Sequence, residues 1–309
     1  MFIRKIEVPG QLLISLLAFA AAGMLAPSAA RAQQTRIYTE PDKVFKDAQQ
    51  LFQQEKYAVS MQLFRQVIQN IDYFKETNRS LVKADAQYYY TVCALKLQQA
   101  DAEKMTLQYL QRANNNAREQ LVSYQLAKYY FHRNQLQEAI PYYEKANIDN
   151  LSNSEIADAK FELAYCYFNV KDFQKAQPLF ASIKEIQGKY YIPANYYYGF
   201  IAYNNRQYNE ALASFKRVEQ EPKYAGIVPY YIAEIYYFQG KKEEVIKYGE
   251  SLLKKGNIYY DTELKQLMGQ AYFEKKDYQK ALLDRWEVRA MGGGCPIPFA
   301  KEFVSETTN

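Results

Sequence analysis

His132 is the one histidine in a chain of 309 residues. A lone imidazole rules out nearly every histidine-based relay, nucleophile pair or zinc site, because no cysteine or carboxylate cluster is spaced to join it. It reads as a surface side chain. Of the three cysteines, Cys93 and Cys166 fall within helical periodicity, where the thiol serves as a small apolar group, and nothing in their spacing pairs them. Cys295 sits in an irregular stretch and is the candidate reactive thiol. Gly292-Gly293-Gly294 lacks the Lys-Ser/Thr and the strand-to-helix context of a phosphate cradle. No catalytic residue, metal site or cofactor is expected, and the chain reads as a non-enzyme.

What the chain has in quantity is aromatic surface: 31 Tyr and 17 Phe, against 12 Gly and 10 Pro. The scarcity of breakers, with Ala, Leu, Gln, Lys and Glu filling the rest, favours helix. Net charge is +5 with both signs interleaved and no basic run, so a nucleic-acid surface is not expected.

These residues recur. From Ala164 the chain places Tyr167, Phe173, Ala176 and Phe180, and from Gly199 it places Ala202, Tyr208, Ala211 and Phe215 at the same intervals. Aligned small residues are Ala48, Cys93, Ala127, Ala164, Gly199, Ala233 and Gly269, spaced 45, 34, 37, 35, 34 and 36 apart. Twelve residues after each stand Ser60, Met105, Ala139, Ala176, Ala211, Val245 and Ala281. Sixteen after stand Phe64, Tyr109, Tyr143, Phe180, Phe215, then Gly249 and Arg285, which break the aromatic pattern. Short polar turns such as Lys171-Asp172 and Arg206-Gln207 make the paired helices antiparallel. Units of this period bury their apolar faces only against neighbours.

This order resembles the tetratricopeptide repeat family over about residues 41–290, most closely at Leu126-Ala127, Leu163-Ala164 and Met268-Gly269 with their following aromatics. The resemblance implies an all-α, right-handed superhelical solenoid of about seven helix-turn-helix repeats. It also implies that one face of each first helix lines a concave surface that holds peptides. By helical geometry that face lies about 40° to 140° from the small residue. It carries Tyr124, Phe131 and His132, then Phe161, Tyr165 and Phe168, then Tyr196, Phe200 and Tyr203, then Tyr230 and Tyr237. Aromatics give large contact area at small rotamer cost, so these residues are the candidate partner-binding set, with packing against the next hairpin as the competing role. Tyr165 and Phe200 are the pair whose replacement by Ser is expected to separate the two roles. The positions of the family's carboxylate-gripping Lys and Asn are occupied by Lys128, Tyr165, Phe200 and Glu234, so a clamp of that type is not expected.

The start reads as an export signal over residues 1–32: Arg4 and Lys5, an apolar run from Leu12 to Ala26, then Ala30-Arg31-Ala32. Residues 33–40 form a short linker. Export places the protein in the periplasm or on the inner face of the outer membrane, with only peripheral membrane contact. From Asp284 the repeat pattern fails, and 291–309 reads as an irregular tail, either divergent or the mark of a truncated or frame-shifted array. The function expected is a bacterial cell-envelope scaffold that binds an apolar or aromatic segment of a protein partner. The alternative is the accessory or sensor half of a larger enzyme or signalling protein. The sequence says nothing of oligomeric state.

Overall fold

A computed structural model describes residues 41–74, 76–113, 115–256 and 259–282. The expected signal and linker, the 291–309 tail, Arg285 and Cys295 lie outside the described residues. The chain forms two compact units that divide between Asn114 and Asn115.

The first unit contains α1 (Pro41–Gln53), α2 (Tyr57–Gln69), α3 (Glu76–Lys96) and α4 (Ala102–Arg112), with a 3-10 turn at Ile71–Tyr73. The second contains α5 (Asn116–His132), α6 (Leu136–Lys145), α7 (Asn153–Asn169), α8 (Phe173–Ile183), α9 (Tyr191–Asn204), α10 (Tyr208–Val218), α11 (Val228–Phe238), α12 (Lys242–Lys255) and α13 (Asp261–Glu274). A last helical stretch begins at Tyr278. Consecutive helices pair as hairpins, and each hairpin packs on the next within its unit. This is an all-α stack of helix-turn-helix repeats. Among the described residues no helix is long and apolar enough to cross a membrane.

One turn closes every hairpin. In the fourth repeat the N–H of Asp172 donates to the carbonyl of Tyr167 at 2.9 Å, and the Lys171 between them has φ +64°. The same five-residue reach joins Lys56 to Leu51, Gln135 to Tyr130, Gln207 to Ala202, Lys241 to Tyr236 and Asp277 to Tyr272. In these six turns the left-handed residue is seven after the small one: Glu55, Asn134, Lys171, Arg206, Gly240 and Lys276. This is the glycine-type helix stop, here mostly occupied by side chains with a Cβ. Asp172 then caps the next helix by accepting from the N–H of Lys175 at 3.2 Å.

The small residues do what their spacing implies. Ala48, Ala127, Ala164 and Ala233 are fully buried, as are their partners Ser60, Ala139, Ala176 and Val245 and the partner of Gly199, Ala211. At Gly199 an added Cβ would stand 2.9 Å from the ring of Phe215, so the glycine is required by its own hairpin's second helix. Gly249 is no defect in the pattern. The Sδ and Cγ of Met268, one residue before the next small anchor, occupy the space a Cβ would need there.

The second repeat departs from its expected register. Its left-handed residue is Gln98, seven after Thr91 rather than after Cys93, and its second helix starts four residues after Gln98 instead of two. Ala102 and Thr106 are the fully buried small residues of α4, and Met105 is half-buried. The two extra turn residues explain the shift. Cys93 and Cys166 are buried and free, and burial pushes their thiols up to about 11 and about 12, so neither is a ready thiolate.

Candidate functional site: an aromatic cavity on the first helices of the second unit

The candidate residues divide by their distance from the small anchor. Phe161, Tyr196 and Tyr230 each stand three before it, and each is covered by a tyrosine nine before the anchor of the following hairpin. Tyr190 stacks on Phe161 at 4.4 Å between centroids, Tyr224 stacks on Tyr196 at 4.3 Å, and Tyr260 leans on Tyr230 at 5.2 Å. These covering tyrosines come from the loops between hairpins, which the helical pattern did not weigh.

Tyr165 and Phe200, expected to face the partner, are buried at 6% and 7% exposure. Tyr165 lies between Phe131 at 5.8 Å and Tyr197 at 5.5 Å, and Phe200 between Phe168 at 5.6 Å and Tyr231 at 5.9 Å. Each is edge-on to a ring of the next first helix, which closes the face that helical geometry left open. Replacing this pair would therefore report on packing. Tyr124 is also buried, at 1% exposure, with its hydroxyl unpartnered and the ammonium of Lys128 5.4 Å above its ring. Phe131, Phe161, Phe168, Tyr203 and Tyr237 remain half-buried. Of these, Tyr203 donates to Glu234 at 2.7 Å and Tyr237 to Glu274 at 2.6 Å.

Between the half-buried rings lies a cavity of about 350 Å³. Its aromatic wall is Phe131, Phe161, Tyr165, Tyr190, Tyr197 and Tyr224, drawn from α5, α7, α9 and the two loops that precede α9 and α11. Its polar rim is His132 and Asn134 from the end of α5, Lys189 and Lys223 from the loops, and Glu162 from α7. His132 is exposed at this rim, where the sequence placed it. Sites of this size that combine an apolar wall with a few convergent polar groups are the usual form of a ligand pocket.

The charges around the cavity are mostly spoken for. Glu162 is buried and accepts from the Tyr143 hydroxyl at 2.6 Å, with Lys128 4.0 Å away. Burial raises its pKa, the ammonium and the phenol pulling the other way. Asp158 stands between Lys128 at 3.4 Å and Lys189 at 3.6 Å and accepts from Tyr190 at 2.6 Å. Burial alone would raise Asp158, but that phenol and the two ammonium groups hold it below the usual carboxylate range. Lys223 makes no ion pair among the described residues and lies 5.9 Å from the centre of the Tyr224 ring.

Sequence reasoning missed Lys189, Tyr190, Pro193, Tyr197, Lys223 and Tyr224. A signal for four of them was present. Lys189-Tyr190 and Lys223-Tyr224 are the same dipeptide 34 residues apart, a repeat outside the hairpin pattern.

No family model and no curated protein sequence matches the chain. Among solved structures it is similar to a tetratricopeptide repeat protein from Parabacteroides merdae, at 15% identity and a TM-score of 0.41 over 82% of this chain and 94% of that one. It is likewise similar to the C-terminal part of a repeat-containing protein from Cytophaga hutchinsonii, at 21% identity and a TM-score of 0.46 over 80% and 94%.

Proposed function

We propose that this chain is a non-catalytic binding scaffold of the bacterial cell envelope, which holds an apolar or aromatic segment of a protein partner against the first helices of its second unit. The observation that carries the reading is the cavity itself, an opening walled by six aromatic rings on the side of the first helices where Phe200 and Tyr230 are instead closed by rings of the next hairpin. A side chain that entered it would lose water from both surfaces without disturbing the hairpins, because the wall rings are already fixed by their neighbours. The envelope setting is supported by the signal-like start, with its basic residues, its apolar run and Ala30-Arg31-Ala32.

The reading is tested by affinity capture from envelope fractions of the exporting bacterium, comparing the native chain with Phe131→Ser. Phe131 is half-buried at the cavity edge, so its loss is expected to leave helicity unchanged and to release one partner protein. Capture of the same proteins by both chains would remove the cavity from the account, and recovery of the chain only from cytoplasm would remove the envelope setting.

A further inference from the structure

Several buried and half-buried tyrosines of this stack give their hydroxyl protons to carboxylates. Tyr143 donates to Glu162, Tyr203 and Tyr230 to Glu234, Tyr248 to Glu219 and Tyr272 to Glu250, at 2.6 to 2.8 Å. Of the tyrosines that line the cavity, Tyr190 does so, to Asp158. Tyr165, Tyr197 and Tyr224 line it, and among the described residues none of the three donates to a carboxylate. The Tyr165 and Tyr197 hydroxyls are hydrogen-bonded to each other, and burial, followed by neighbouring phenols, raises the pKa of Tyr197 and of Tyr224.

The rim supplies charge of the matching sign. Of the ionised groups that line the opening, two are ammonium groups, Lys189 and Lys223, and one is the carboxylate of Glu162. Glu162 faces inward to Tyr143 and Lys128, while Lys189 and Lys223 are exposed. Glu221 influences the Tyr224 phenol from one turn earlier but does not line the cavity. The Tyr224 hydroxyl makes no hydrogen bond among the described residues, Lys223 is exposed and makes no ion pair among them, and Lys189 beside them is shared with Asp158. Such a donor and ammonium groups are what an anionic oxygen needs, and charge-assisted bonds to it are stronger than neutral ones. The half-buried rings of Phe168 and Tyr203 continue along the same side of α7 and α9, so the site has aromatic surface beyond the opening for a chain that passes through.

On the reading that this cavity holds a partner segment, we propose that the segment is acidic as well as aromatic: an internal Asp or Glu side chain that accepts from the cavity tyrosines beneath Lys189 and Lys223, next to an aromatic residue that fills the wall.

The test uses the full-length chain and fluorescein-labelled octapeptides, acetylated and amidated, with a central aromatic pair flanked by glutamates, by glutamines or by lysines. A fourth, neutral peptide carries a free C-terminal carboxylate. The glutamate peptide is expected to bind about tenfold more tightly than the glutamine peptide, the scale of one charge-assisted bond, with the margin shrinking in high salt. Lys223→Ala is expected to remove several-fold of that margin, and Tyr224→Phe part of it, with the melting temperature of both variants close to that of the native chain. Equal affinity for the glutamate and glutamine peptides overturns the acidic inference and leaves the aromatic-segment reading standing. Preference for the lysine peptide, or for the free C-terminal carboxylate, also overturns it. If no peptide binds in the micromolar range, the underlying groove reading fails with it.

Discussion

The Tyr143 hydroxyl donates to the Glu162 carboxylate at 2.6 Å in the place where, one and two hairpins later, Phe180 stacks on Tyr197 at 5.4 Å and Phe215 on Tyr231 at 5.7 Å. In each case the residue sixteen after one small anchor meets the residue two before the next. Phe64 on Tyr89, 4.9 Å apart and 7° from parallel, repeats the contact in the first unit, counted from Thr91. One relationship thus couples neighbouring hairpins, met by ring stacking or by a phenol and an acid. Tyr143→Phe keeps the ring but leaves a buried carboxylate short of a donor. Its cost is expected at about 1 to 3 kcal/mol, and Glu162→Gln in the same background should recover part of it. Denaturant midpoints of the two single variants and the double variant decide this, and additive losses would show that the pair is not coupled.

Gly199 and Gly249 make a matched pair. Gly199→Ala drives a methyl into the fully buried Phe215 ring, itself held by Tyr231, and is expected to cost about 1 to 3 kcal/mol. Gly249→Ala meets the flexible end of Met268, which can move aside, so a smaller loss is expected. Thermal melts of the two variants would contradict this packing if the losses were equal or reversed.

The hairpin turns store a small strain. Lys171, Arg206 and Lys276 hold φ between +59° and +64°, where a Cβ costs energy and glycine does not. Lys171→Gly and Arg206→Gly are each expected to stabilise by a few tenths to about 1 kcal/mol, net of glycine's unfolded-state entropy. Gly240→Ala, at φ +73°, is expected to destabilise on a similar scale. A loss of stability in both glycine variants would place the energy of these turns in their side chains.

Glu234 carries a pH signature. It is 8% exposed, accepts from Tyr203 and Tyr230, and has no ammonium group within ion-pair distance among the described residues. Burial raises its pKa above the ordinary 4.5, the two phenols opposing. A raised acid binds its proton more tightly in the folded chain, so its contribution is full below 4.5 and is lost as pH climbs through the folded value. Relative to Glu234→Gln, the native chain is therefore expected to lose stability as pH rises from 4.5 toward neutrality. A difference in denaturant midpoint that stays flat across that range would contradict this.

The hairpins were legible because small residues, aromatics and turns recur at fixed offsets, and each offset corresponds to one packing contact. The second repeat was misregistered by two residues because Cys93, Ala94 and Thr91 are all small enough to serve as anchor, and only the left-handed turn and the Phe64–Tyr89 stack choose among them. The site was half legible. Helical geometry placed Phe131, His132, Phe161 and Tyr165 at the same opening, but it treats each first helix as if its second face were free. In the stack that face is closed by rings from the next hairpin and by Tyr190, Tyr224 and Tyr260 from the loops, so Tyr165, Tyr196, Phe200 and Tyr230 became interior.

The central claim is that the opening on α5, α7 and α9 is where a partner lies. The most direct measurement places a photo-crosslinking benzoylphenylalanine at His132 or at Lys223 on the cavity rim, and at the exposed Lys247 of α12 as control, in the native envelope. The two rim positions are expected to join the same short segment of one partner protein, mapped by mass spectrometry, and the control to join nothing there. Crosslinks from Lys247 to that segment with none from the rim would put the binding surface elsewhere on the stack.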